Sequence, residues 1–244
     1  TGSGNDTVYL GNGIYTVDLG AGDDKVYLTT TASSINGNTG ADEAVVRAFD
    51  GFVDVYIDLQ FSTYFVPSKL TAQDGMEVSL QNFEKVTIDG NVAATILGTA
   101  AADTLVGDAG ADTITGRAGA DTLTGGSRSD TFVFISGDTG ITEATADTIT
   151  DFSTGTDKID VDAPGTYVEA DGTATADLAA FITAADASLT TNSDDIYSEY
   201  NFAGGGNTLV LIDENKSGTV DTNDTLIILA DLSTAGGLDA SDFI

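Results

Sequence analysis

Residues 107–134 read GDAGADTITGRAGADTLTGGSRSDTFVF. Three nine-residue phrases follow one another, and each holds an Asp in the same place. Aligned on that acid, Asp103, Asp112, Asp121 and Asp130 lie nine apart, and two positions after each comes Leu105, Ile114, Leu123 or Phe132. Gly107, Gly116 and Gly125 open successive phrases, with Gly110 and Gly119 at the fourth place. Each unit is a six-residue turn and a three-residue strand with one inward side chain. A strand that short cannot fold alone, but stacked copies bury a continuous apolar row.

The same frame opens the chain. Asp6, Tyr15, Asp24, Ser33 and Asp42 hold the acid place, and Val8, Val17, Val26, Ile35 and Ala44 the inward place. The acid is lost on alternate repeats, so the surviving ones are 18 apart. If two nonapeptides complete one turn of a coil, Asp6, Asp24 and Asp42 line one edge, and Tyr15 and Ser33 the other. The expected fold is all-β: a parallel β-roll or β-helix solenoid with a mixed β cap carrying one helix. Because TGSGNDTVYL (1–10) starts inside a repeat, the chain reads as a fragment of a longer protein.

Three segments follow. Residues 1–95 hold the first array and then irregular rungs, in which Val53, Val55, Ile57, Leu59 and Phe61 alternate with polar residues. An excursion is expected around STYFVPSKLTAQDG (62–75), followed by a strand pair in MEVSLQNFEKVTIDG (76–90). Residues 96–134 hold the second array. Residues 135–244 form the cap, with strands in DTITDFSTGTDKIDV (147–161), NTLVLI and DTLIILADL. Its helix is expected in TADLAAFITAADASL (175–189), where Leu178, Phe181, Ile182 and Ala185 share a face.

Charge narrows the function. The chain has 39 acids against 8 bases, a net of −31, and 32 of the acids are Asp. That field repels a phosphate backbone, so nucleic acid is excluded as a partner. It also opposes compaction unless cations neutralise it. No apolar run approaches the roughly 20 residues of a membrane span. With no Cys and no His, thiolate and imidazole metal sites are absent, as is the commonest general base. No nucleophile has a visible partner, so the chain reads as a non-enzyme. Tyr56, Tyr64, Phe65, Tyr197 and Tyr200 fit either an exposed binding surface or β-sheet core.

The acids themselves repeat at metal spacing. The pattern G-G-x-G-x-D-x-U-x is that of a calcium-binding parallel β-roll. Calcium takes six to eight oxygens, carboxylate and carbonyl alike, and glycine lets the backbone aim its carbonyls inward. A second candidate is DENKSGTVDTND (213–224). Asp213, Asn215, Ser217, the Thr219 carbonyl, Asp221 and Asp224 fall at places 1, 3, 5, 7, 9 and 12, with Gly218 at place 6. That is the EF-hand loop spacing with Asp in place of the final Glu. Its flanks read as strands, which argues against a true EF-hand pair.

At these residues the chain resembles the RTX (repeats-in-toxin) family. GADTLTGGSRSDTFVF followed by ITDFSTGTDKIDV is similar to the C-terminal module of serralysin-type secreted proteases, without the protease half. Overall it resembles RTX-type bacterial surface-layer proteins, through GAGDDKVYL, NFEKVTIDG, the second array and the ending SEYNFAGGGNTLVLIDENKSGTVDTNDTLIILADL. The resemblance implies that each ion is shared by two turns 18 residues apart. The first array would then use Gly2, Gly4 and Asp6 with Leu19, Ala21 and Asp24, and Gly20, Gly22 and Asp24 with Gly37, Thr39 and Asp42. The second would use Thr99, Ala101 and Asp103 with Gly116, Ala118 and Asp121, and Asp108, Gly110 and Asp112 with Gly125, Ser127 and Asp130. The first of these two sets lacks the usual glycines at 99 and 101. The resemblance also implies several calcium ions and type I secretion guided by the uncleaved ending GGLDASDFI. It implies an extracellular or cell-surface location, calcium-mediated self-assembly and contact with surface polysaccharide. A secretion and folding module of an adhesin or secreted enzyme fits the same motifs.

Overall fold

Each nonapeptide strand places one apolar side chain inward and its threonines outward, so every strand needs another above and below it. In the computed structural model the strands meet that need by coiling. Residues 2–11, 15–29, 33–47, 54–58, 76–81, 83–161, 166–169, 175–189, 195–203, 206–232 and 238–244 are described. Thr104–Val106 lies beside Thr122–Thr124 in one parallel sheet, and Thr113–Thr115 beside Thr131–Phe134 in a second. The register is 18 residues: Leu105 faces Leu123, and Ile114 faces Phe132. Two nonapeptides therefore make one full coil. The first array obeys the same rule, with Val8 beside Val26 and Val17 beside Ile35.

Both sheets run from one array into the next. The first sheet passes from Thr7–Leu10 through Lys25–Leu28, Glu43–Arg47, Lys85–Asp89, Thr104–Val106 and Thr122–Thr124 to Asp147–Ile149. Between the sheets lies one core, containing Val26, Ala44, Val86, Leu105, Leu123 and Ile149 from the first and Ile35, Ile96, Ile114, Phe132 and Ile159 from the second. Leu123 is fully buried between Leu105 and Ile149. Leu123→Ala should destabilise the protein by ~2–5 kcal/mol, read as a lowered denaturation midpoint in calcium-containing buffer.

In two places the chain departs from a simple repeat. Asp54–Asp58 and Met76–Gln81 lie side by side and parallel in the second sheet, but in reversed chain order. Met76–Gln81 pairs with Ser33–Asn36, while Asp54–Asp58 pairs with Ala93–Leu97. The irregular rungs thus double back within one sheet. Val53, Leu59, Phe61, the 62–75 excursion, Tyr64 and Phe65 lie outside the described residues, as does the side chain of Tyr56. The other departure follows Phe134, where the nonapeptides stop but the coil continues. Asp147–Ile149 adds to the first sheet and Lys158–Val161 to the second.

The cap grows from the first sheet. Thr225–Leu229 joins Asp147–Ile149, and antiparallel Asn207–Ile212 and Ile196–Phe202 follow. The helix spans Leu178–Asp186, and its N-cap Asp177 accepts the Ala180 N–H at 2.9 Å. Phe181 and Ala185 are buried against Tyr197, Phe202, Leu209, Leu211 and Leu226, with Leu178 and Ile182 at the margin. Tyr197 and Tyr200 are buried, so of the two readings offered for these rings the core is the correct one. The chain end docks as well: Phe243 is buried, Ile244 N–H donates to Ile159 O, and Val161 N–H donates to Ile244 O. Among the described residues no helix is long and apolar enough to cross a membrane.

Candidate metal centre

The coil has two turn edges, and the acids gather on them. One edge carries Asp6, Asp24, Asp42, Glu84, Asp103, Asp121 and Asp147, each immediately before or at the start of a first-sheet strand. The other carries Asp112, Asp130 and Asp157. Successive acids are coupled by one recurring bond, in which a carboxylate accepts the backbone N–H of the acid one coil earlier. Asp24 Oδ1 accepts from Asp6 N at 2.8 Å, and Asp42 Oδ1 from Asp24 N at 2.8 Å. Asp121 Oδ1 accepts from Asp103 N at 2.8 Å, and Asp130 Oδ1 from Asp112 N at 2.8 Å. The acids that the first array keeps, Asp6, Asp24 and Asp42, thus fall on one edge and stack there. The acid-bearing edge is stitched by side-chain amides as well, with Asn36 Nδ2 donating to Asn38 Oδ1 at 2.8 Å and Asn38 Nδ2 to Asp18.

One oxygen per acid takes no part in this bonding. The Oδ2 atoms of Asp24, Asp42, Asp112, Asp121, Asp130 and Asp147 are buried without a hydrogen-bond partner. A buried polar atom left unpaired is costly, and an unpaired buried charge more so. Burial accordingly pushes the Asp112 and Asp121 carboxyls up to about 7, Asp130 to about 6 and Asp147 to about 8, against the nearby N–H bonds that favour the charged form. Neighbouring carboxylates push the same way: Asp130 on Asp112, Asp103 on Asp121, Asp157 on Asp130 and Asp121 on Asp147.

These oxygens face backbone carbonyls across a gap. A Cβ added to Gly107 would collide with Asp112 Oδ2 and lie 2.8 Å from Gly125 O. Gly116 and Gly125 stand in the same close relation to Asp121 Oδ2 and Asp130 Oδ2. Among the described residues no three carboxylates converge on one point. An ion held between two turns would therefore draw on two carboxylates and several carbonyls, the hard, all-oxygen set that calcium accepts. The donor chemistry fits calcium at Asp112/Asp130.

The sequence-derived sets come together to different degrees. Asp108, Gly110 and Asp112 stack on Gly125, Ser127 and Asp130, with Ser127 N–H donating to Asp108 O at 2.7 Å. In the first array the turns are stitched more closely. Leu19 O accepts from Gly2 N at 3.3 Å, Ala21 O from Gly4 N at 2.6 Å, Thr39 O from Gly22 N at 2.9 Å and Gly20 O from Thr39 N at 3.4 Å. Each of these carbonyls keeps a second lone pair. Asp103 differs from the other second-array acids named above. Its Oδ2 accepts from Thr99 N at 2.6 Å and Thr99 Oγ1 at 2.9 Å.

The loop 213–224 joins antiparallel strands, as its flanks suggest. Asp213 accepts from Ser217 N at 3.0 Å and Gly218 N at 2.7 Å, which curls the loop around that carboxylate. Asp224 Oδ2 accepts from Asp221 N at 2.7 Å, while its Oδ1 is buried without a partner. Burial pushes Asp224 up to about 7, with Asp213 and Asp221 adding to it. Asn215 Nδ2 donates to Asp221 Oδ2 at 2.9 Å, and Ser217 Oγ donates to Thr219 O at 2.7 Å.

Three rungs escaped the sequence reading. Asp42 N donates to Glu84 Oε2 at 2.7 Å, Asp121 N to Asp147 Oδ1 at 2.9 Å and Asp130 N to Asp157 Oδ1 at 3.0 Å. Asp147 and Asp157 each stand two places before an inward Ile, the same acid–x–apolar signature as the repeats. Their turns lack the glycine frame, which hid them.

A family model of the RTX calcium-binding nonapeptide repeat matches residues 1–17 and 97–132, in four copies. The matched stretches supply turns on both edges, and they imply calcium binding there. No match is found among curated proteins.

Proposed function

We propose that calcium ions lodge between stacked turns and build this roll, and that the chain is a structural part of a secreted bacterial surface-layer protein. The carrying observation is the row of buried Oδ2 atoms without partners on Asp24, Asp42, Asp112, Asp121, Asp130 and Asp147. Among the expected sets, Asp112 with Asp130 and the carbonyls of Asp108, Gly110, Gly125 and Ser127 is the best supported. Asp24 with Asp6 and Asp42 supplies the first array, and the Asp213–Asp224 loop a separate site.

The proposed sequence of events follows from charge. Inside the cell, where calcium is scarce, a net −31 keeps the chain expanded and fit for type I export. Outside, calcium binds only the folded form and drives folding by mass action. The ending GGLDASDFI fits an export signal of the unfolded chain, since Leu238 and Phe243 are buried after folding. The folded piece then joins a surface coat, with calcium bridging acidic faces of neighbouring copies and surface polysaccharide as a further contact.

The second reading is a calcium-folded carrier module of an adhesin or secreted enzyme. It is favoured by the repeat match, which speaks for calcium and export rather than for a lattice. Sedimentation velocity during a calcium titration separates the two. The coat reading expects an expanded species that compacts and then enters larger assemblies. Compaction that stops at a monomer would overturn it in favour of the module.

A further inference from the structure

We infer that the turn pair 98–103 and 116–121 carries its cation in its own sequence: Arg117, with Thr99, closes the Asp103 site, and no calcium enters it. This rests on the calcium reading of the array and concerns one rung where that reading does not fit. The rung has the usual cradle. A Cβ on Gly98 would lie 2.5 Å from Gly116 O and 2.8 Å from Asp103 Oδ2, much as at Gly107. What differs is how the oxygens are used. At Asp112, Asp121, Asp130 and Asp147 the buried Oδ2 has no partner. At Asp103 the same atom holds both the N–H and the hydroxyl of Thr99.

Arg117 completes the closure. Its Nη1 donates to Gly98 O at 2.6 Å, across one full coil. Its backbone sits at φ 69°, a left-handed conformation that strains a residue with a side chain by roughly 1–2 kcal/mol. The repeat pattern places glycine there, so the arginine is held against its own backbone preference. Burial pushes the Asp103 and Asp138 carboxyls up, and the charge of Arg117 opposes that at both. A guanidinium offers five donors and no acceptor, so it satisfies carbonyls and carboxylates as an ion does. A divalent ion entering here would have to displace two Thr99 donors beside a fixed positive charge. The closed rung lies in the middle of the ladder, between Glu84 and Asp121, and its closure is independent of calcium.

Native mass spectrometry of the full chain at saturating calcium counts the ions. Asp112→Asn should lose at least one ion relative to the unaltered chain, whereas Asp103→Asn should lose none. Opening the rung with Thr99→Gly and Arg117→Gly together should add one ion. Loss of an ion by Asp103→Asn, or an unchanged count in the opened variant, would overturn the inference while leaving calcium binding elsewhere intact. The opened variant decides the matter if Asp103→Asn does not fold. A chain that binds no calcium at all would overturn the parent reading and this one together.

Discussion

Stripped of calcium, the roll should be more stable at pH 5 than at pH 8, the reverse of its calcium-loaded form. The sign follows from the carboxyls on the turn edges. Burial holds Asp112 and Asp121 at about 7, Asp130 at about 6 and Asp147 at about 8, all above the ordinary 3.8. The folded state therefore binds more protons than the unfolded chain between about pH 4 and pH 8, so its stability falls as pH rises through that window. A tenfold difference in proton affinity between the folded and unfolded states is worth about 1.4 kcal/mol. Four groups shifted at least tenfold oppose folding at pH 8 by at least about 5 kcal/mol, comparable with the lower end of the ~5–15 kcal/mol that holds a domain folded, so the metal-free arrays should be markedly destabilised at pH 8. Calcium reverses the slope, because it holds the same carboxylates charged and protons must then compete with it. Urea denaturation followed by circular dichroism at pH 5, 6.5 and 8, with and without calcium, checks both slopes. Metal-free stability that rises from pH 5 to pH 8 would contradict the account.

Gly107→Ala should weaken calcium binding between the Asp112 and Asp130 turns while leaving every proposed ligand in place. The added methyl would collide with Asp112 Oδ2 and lie 2.8 Å from Gly125 O, inside the space proposed for the ion. The neighbours are a carboxylate tied to Ala94 N at 2.7 Å and a backbone carbonyl, neither of which can swing aside cheaply. Affinity at that site should fall at least tenfold, about 1.4 kcal/mol or more, with a matching fall in thermal stability. Gly11→Ala is the control, because a methyl there meets nothing within 4 Å. Calorimetric titration of both variants reads the difference. Undiminished binding by Gly107→Ala would remove the ion from that gap.

Much of the fold could be read from one number, the spacing of nine. A short strand with one inward residue must stack, and alternate loss of the acid at Tyr15 and Ser33 shows that two units make one coil. The paired registers of Val8 with Val26 and Leu105 with Leu123 agree with that. What the spacing could not convey is what happens where it breaks. The reversed order of Asp54–Asp58 and Met76–Gln81 depends on long-range pairing, to which local alternation is blind. Glu84, Asp147 and Asp157 continue the acid edges across insertions, so their rungs appear only when the coils are stacked. The candidate site was legible in its carboxylates and less so in its donors. Thr99 and Arg117 look like ordinary replacements of glycine until the turns are stacked: Thr99 then bonds Asp103 within its own turn, and Arg117 reaches that turn from one coil away.

Whether calcium builds the roll is decided by a calcium titration of the chelated chain at pH 7.5, with bound ions and far-ultraviolet circular dichroism measured on the same samples. Several ions should bind, with β-structure appearing in step with them. A chain that already shows its full β-signal without calcium and gains none on addition would contradict that expectation.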